Sequence, residues 1–177
     1  MLNILDFIKS LITDKGINDA IGCDMTLGRG NDTVFLASIC KHVYSFDIQK
    51  EAIDYCKDTI KNTNITYICD SHENIKKYVN TGVDFVMYNL GYLPKGDKSI
   101  TTNSSSTIKS INEVLDLLNI GGIITIGVYT GHDNGKEAKD VESYLLTLDQ
   151  KKYNVLKYDF INRINNSPYL IAIEKIK

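Results

Sequence analysis

Residues 24–33 read Asp24-Met-Thr26-Leu-Gly28-Arg29-Gly30-Asn31-Asp32-Thr33. Glycines let backbone approach a ligand closely, and a helix starting after them offers unpaired N–H groups to an anion. An acid at Asp47, with Gln49 just beyond it, can accept hydrogen bonds from both hydroxyls of a ribose. Asp70-Ser71-His72 forms a third polar group, suited to an adenine amino group and ring edge. Asn89-Leu-Gly91-Tyr92 is of a different kind. A carboxamide oxygen can hold the hydrogens of an amine and aim its lone pair, and an aromatic ring can stack on a flat base. A primary alkyl amine must also lose a proton, for which Tyr92, Asp97, Tyr129 and His132 are candidates.

Each of these has a plainer alternative. The glycine turn can be purely structural, Asp47, Asp70 and Ser71 can be helix caps, and Asn89 and Gly91 can simply shape a tight strand exit. Lys95, Lys98 and Lys109 are candidates for phosphate, although isolated lysines are usually solvated. A dinucleotide fingerprint wants a third glycine where Thr33 stands. The pattern acid-x-Thr-x-Gly-x-Gly instead resembles the S-adenosylmethionine (SAM) loop, whose ligand ends in a methionine tail. The cofactor candidates are therefore Asp24, Thr26, Gly28, Gly30, Asn31, Asp32, Asp47, Gln49, Asp70, Ser71 and His72.

The elements that must position these groups alternate between strand and helix. Ile4, Ile8, Leu11 and Ile12 have helical spacing, which predicts a helix over 3–14. DAIGCDM, HVYSFDIQ, ITYICDSHE and VDFVMYNL predict four strands, with helices over 32–40 and 50–61 and a short one through Lys77. Each polar group then falls at a strand's carboxyl end, where open α/β sheets bind ligands. Residues 90–106 are rich in glycine and hydroxyls and predict a functional loop on the acceptor side. A helix over 107–118, the strand GGIITIGVYT and a helix over 135–149 follow. YNVLKYDFIN and SPYLIAIEK predict an antiparallel hairpin with a short link. The expected fold is α/β, a single domain over 1–177 with a mostly parallel, seven-stranded Rossmann-like sheet of the class I methyltransferase plan.

Composition narrows the setting. The chain has 177 residues, a net charge of −2 and no apolar run of membrane-spanning length. With no signal-peptide pattern at MLNILDFIKS, the expectation is a cytoplasmic protein without membrane contact. A sequence pI of about 5.9 argues against a broad nucleic-acid-binding face and limits RNA to a small footprint. Cys23, Cys40, Cys56 and Cys69 show no C-x-x-C spacing, so no metal is expected and buried thiols are.

LGRGNDTVFLA, FDIQ, DSHENI, NLGYLPKGDKSITT, VYTGHDNGKEA and FINRINNSPYLIAIEK together resemble a bacterial family. It was once labelled rRNA methylase and is now associated with tRNA wobble-uridine modification. The resemblance implies methyl transfer from SAM to the amine of 5-aminomethyl-(2-thio)uridine in a tRNA anticodon stem-loop. From their places on the expected fold, Asn89, Tyr92, Asp97, Ser99, Thr101 and Thr102 fall on the acceptor side, with Tyr129 and His132 opposite. Arg29 departs from the Asn usual there, so it must turn outward or meet the methionine carboxylate. Rival readings are methylation of rRNA or a small-molecule amine, an NAD-dependent oxidoreductase, and a non-catalytic SAM-binding protein. The oligomeric state, a homodimer included, is open.

Overall fold

The computed structural model describes residues 2–91, 101–129, 133–163 and 167–177. Its elements are α1 (Ile4–Thr13), β1 (Ile21–Asp24), α2 (Asn31–Ile39), β2 (His42–Asp47), α3 (Lys50–Thr59) and β3 (Ile65–Cys69). A 3₁₀ helix (His72–Lys77) precedes β4 (Val83–Leu90), α4 (Ser104–Leu117), β5 (Leu118–Val128), α5 (Lys136–Leu145), β6 (Tyr153–Tyr158) and β7 (Tyr169–Lys175). The strands form one sheet in the order β3-β2-β1-β4-β5-β7-β6. β1 to β5 run parallel, and β7 is antiparallel to both β5 and β6. This is the class I methyltransferase sheet with its carboxy-terminal hairpin.

The central strands are apolar because both of their faces are covered. β4, VDFVMYNL, is buried at every position but Asn89. Ile111, Val114 and Leu115 of α4, Val141 and Leu145 of α5, and Ile75 pack on one face of the sheet. Ile8 and Ile12 of α1, with Leu36 and Ala37 of α2, pack on the other. The chain runs outward from β1 through β2 to β3, then returns to place β4 on the other side of β1. That reversal opens a crevice between the carboxyl ends of β1 and β4, the usual ligand site of an open sheet.

Four boundaries differ from expectation. Asn103 caps α4, its Oδ1 accepting from Ser106 N at 3.1 Å, so residues 104–106 of the expected 90–106 loop are helical. β5 begins at Leu118, directly after α4, because the Val83↔Leu118 pairing extends it backward past Gly121. α5 ends at Leu145 in turns closed by Thr147 N and Leu148 N. β6 stops at Tyr158, where pairing with β7 ends, so residues 159–162 of the expected strand lie beyond it. Cys23, Cys40 and Cys56 are buried free thiols, and Cys69 is exposed. Among the described residues no helix is long and apolar enough to cross a membrane. Nor does any group of three or more His, Cys, Asp or Glu among them suit a metal ion.

Candidate active site

After β1 the chain stays bonded to the sheet, Met25 N donating to Met87 O and Leu27 N to Phe46 O. Asp24 lies beneath this turn, 1% exposed. Its Oδ2 accepts from the Thr33 hydroxyl at 2.7 Å and its Oδ1 from Thr26 N at 3.1 Å. With its proton committed to Asp24, Thr33 Oγ accepts from the Ser45 hydroxyl at 2.8 Å. Thr33 is therefore a buried strut between turn and sheet as well as a departure from the dinucleotide pattern, and Ser45 is a partner the sequence reading missed. Burial, then the charge of Asp32, holds the Asp24 carboxyl above the ordinary carboxylate range.

Asp47 ties the glycine turn to β2. Its Oδ2 accepts from Gly28 N at 3.0 Å and its Oδ1 from Gln49 N at 2.8 Å. Each oxygen keeps acceptor capacity for a ribose hydroxyl. Gly30 has φ +80°, and a Cβ there would lie 2.5 Å from Ile60 Cδ1 and 2.9 Å from Cys56 Sγ. Only glycine allows α2 to start so close to α3. Gly30 also brings no side chain to cap α2, so the first N–H groups beyond it, at Asn31 and Asp32, suit a carboxylate. Arg29 turns outward, its guanidinium 4.7 Å from the centre of the Tyr55 ring.

At the end of β3, Asp70 accepts from Ser71 N, Asn74 Nδ2 and the Tyr78 hydroxyl. Slight desolvation pushes its pKa up, but these bonds outweigh that and hold it below the ordinary range. His72 is buried, and burial pushes its pKa down to about 4. The ring lies edge-on to Tyr88, with centroids 5.9 Å apart, and its Nδ1 has no partner among the described residues. A neutral imidazole with one unsatisfied nitrogen suits an adenine edge. The donors and acceptors at the ends of β1, β2 and β3 thus fit adenosine with a methionine tail.

β4 carries the other half of the site. Asn89 N donates to Thr26 Oγ at 2.7 Å, joining the two sides of the crevice. Its Nδ2 donates to Asp32 Oδ2 at 2.6 Å. That bond fixes the amide's orientation and leaves Oδ1 as the outward acceptor. A Cβ on Gly127 would lie 2.8 Å from Asn89 Oδ1 and 3.5 Å from Tyr129 Cε2, so the missing side chain makes room for both. Asp32, expected only at the cofactor, therefore also holds the Asn89 amide. Its pKa is raised by burial and drawn back by Asn89 and the charge of Lys9. Burial and then Asp32 raise that of Tyr129, keeping the phenol protonated at neutral pH.

A cleft of about 200 Å³ opens over Asn89, Gly127 and Tyr129, with α1 on its far side. Thr102 and Gly91 bond to each other twice, through Thr102 N to Gly91 O and Gly91 N to Thr102 Oγ. The Thr102 and Thr107 hydroxyls both donate to the buried Glu137 carboxylate. Lys109 pairs with Glu73 at 3.5 Å. Tyr92, Lys95, Asp97, Lys98, Ser99 and His132 lie outside the described residues, and Thr101 leads into the Thr102 clamp.

The family described as "Putative rRNA methylase" matches residues 43–174. The chain belongs to this family. A crystal structure of a "putative rRNA-methylase" from Clostridium thermocellum is 41% identical, with TM-score 0.94 and 99% of each chain covered. A "putative methyltransferase" from Streptococcus mutans, solved with S-adenosylhomocysteine (SAH), is 34% identical with TM-score 0.93 and the same coverage. The chloroplastic tRNA (mnm(5)s(2)U34)-methyltransferase of Arabidopsis thaliana is 33% identical over 161 residues, 79% of this chain. The chain spans 58% of that relative's length. The protein is a SAM-dependent methyltransferase, and the three polar strand ends are its candidate cofactor site.

Proposed function

We propose that the protein methylates the amine of 5-aminomethyl-(2-thio)uridine at the tRNA wobble position, giving the 5-methylaminomethyl nucleoside. The observation that carries this reading is the Asn89 carboxamide, held by Asp32 so that its oxygen faces the cleft. An acceptor oxygen in that place binds the hydrogens of an amine and directs its lone pair. The name of the Arabidopsis relative supports the choice of nucleoside.

When bound, the cofactor supplies a methyl on a sulfonium centre. The acceptor arrives as an alkylammonium, since amines of this kind titrate near pH 10, and must shed a proton. Asp32 is the carboxylate beside Asn89, and we assign it that proton. Its environment favours the neutral acid more than water does. The amine lone pair then forms the N–CH₃ bond while the C–S pair stays on sulfur. The product is a secondary ammonium, and the proton held by Asp32 leaves to solvent. Tyr129 closes the cleft beside Asn89 as a neutral phenol, placed to stack on a base.

The test is nucleoside mass spectrometry. Purified protein and SAM are incubated with tRNA from cells that accumulate 5-aminomethyl-2-thiouridine, and the digest is searched for one added methyl. Conversion of that nucleoside is the expected result. No conversion, in a preparation shown to bind SAM, overturns the substrate and redirects the search to rRNA or small-molecule amines.

A further inference from the structure

The cleft over Asn89 has walls that a cofactor site does not require. Ile4 and Ile8 of α1 line one side, Pro168 and Tyr169 the other, and Arg163 also borders it. Its volume of about 200 Å³ is below the roughly 300–1,000 Å³ of sites for drug-sized ligands. A single flat ring fits, and a folded oligonucleotide must lie outside. The walls are mostly apolar, with the Asn89 carboxamide as a polar group beside them.

Arg163 is restrained. Its guanidinium lies 4.1 Å from the Phe160 ring centre, Phe160 meets Tyr158 edge-on, and Tyr158 stacks on Phe7 of α1 at 4.2 Å. The Tyr158 hydroxyl also donates to Leu2 O. This run of rings connects α1 to residues 158–163 and holds an arginine at the cleft, where no ion pair engages it among the described residues. An exposed guanidinium on an aromatic face keeps its planar fork for a phosphate.

We infer that the cleft between α1 and β7 is the nucleobase slot of an RNA acceptor, and that Arg163 contacts the backbone phosphate flanking the inserted nucleotide. This rests on the proposed RNA substrate and adds where its strand enters. It also gives α1 a second role: the helix that covers one side of the core is a wall of the acceptor site.

The experiment measures binding of a fluorescent anticodon stem-loop RNA to SAH-saturated protein across a salt series. Arg163→Ala is expected to weaken binding roughly tenfold at low salt. It should also reduce the slope of log K against log salt by about 0.7, the value for one single-strand phosphate contact. Arg163→Lys keeps the slope, because the charge remains. Ile4→Trp fills the slot and weakens RNA binding, with SAH affinity measured on the same preparation reporting the fold. Unchanged affinity and slope in Arg163→Ala overturn the phosphate contact, and unchanged RNA binding in Ile4→Trp overturns the slot. Wild-type protein that binds the hairpin but never methylates it removes the proposed reaction while these variants still decide the slot. Wild-type protein that binds no hairpin overturns both.

Discussion

The two halves of the site are built in different ways. On the cofactor side most bonds join short stretches, Asp24 to Thr26 and Thr33, Asp47 to Gln49, Asp70 to Ser71 and Asn74, while Asp47 to Gly28 and Thr33 to Ser45 reach only the neighbouring strand. On the side of β4 they span the chain: Asn89 to Asp32, and Thr102 and Thr107 to Glu137. Local bonds make a preformed pocket whose pattern repeats at successive strand ends. Long-range bonds make a pocket whose shape depends on the whole fold. The first half can be held in common across many methyltransferases, while the second can differ from one to the next.

If the halves are separable, single substitutions divide their effects cleanly. Asp47→Ala removes the ribose acceptor and the anchor of Gly28. SAM affinity should fall about a thousandfold, as expected for two lost charge-assisted hydrogen bonds; calorimetry showing native affinity would remove Asp47 from the pocket. Asn89→Ala should do the reverse, keeping SAM affinity while turnover falls about a thousandfold through loss of amine orientation. A variant that loses both together would show that the Asn89–Asp32 side-chain bond couples the halves.

His72 tests the cofactor side through pH. Its folded pKa of about 4 lies below the ordinary value near 6.5, so below pH 6.5 the unfolded chain binds the extra proton. The stability due to keeping His72 neutral is fully present above pH 6.5. It declines as pH falls towards 4, by roughly 3 kcal/mol in total. Denaturant unfolding of wild type and His72→Gln over pH 4–7 checks this. The wild type should lose its stability more steeply, and parallel curves would show that His72 titrates normally.

Gly127→Ala probes the acceptor side without removing a polar group. The added methyl would sit 2.8 Å from Asn89 Oδ1, so the amide must swing away or β5 must shift. Turnover should drop about ten- to a hundredfold, the scale of a misplacement near 1 Å, with SAM affinity kept. Steady-state kinetics with native turnover would mean that Asn89 works from another position.

This contrast also explains what could be read in advance. The first three strands and the polar groups at their ends follow from apolar runs, each ending in an acid, and that pattern is local. The Asp32–Asn89 bond joins residues 57 apart in sequence, and nothing near Asp32 distinguishes a cofactor contact from an amide partner. Glu137 has the same problem. It lies in a helix of mostly polar residues, yet it is 1% exposed because two threonines from another helix and its approach reach it. Thr33 was visible only as a missing glycine, since its bond to Ser45 needs the sheet to bring β2 alongside. α4 was expected to start too late because Ser104, Ser105 and Ser106 look like loop until Asn103 is recognised as the cap.

Arg29 is the smallest and sharpest test of where the cofactor half ends. It sits between Gly28 and Gly30, in the middle of the turn, and sequence position alone left two orientations. The structure turns its guanidinium onto Tyr55 of α3, away from the uncapped amino end of α2. Arg29→Ala should therefore cost only about 0.5–1 kcal/mol of stability, the worth of an exposed cation–π contact. SAM affinity should stay within about twofold, less than half the ~1.4 kcal/mol of a tenfold change. Tyr55→Ala should cost a similar amount, and the double variant little more than either alone, because both remove one contact. A tenfold loss of SAM affinity in Arg29→Ala would mean that the side chain swings inward to the methionine carboxylate. The turn would then bind its ligand with a charge as well as with backbone.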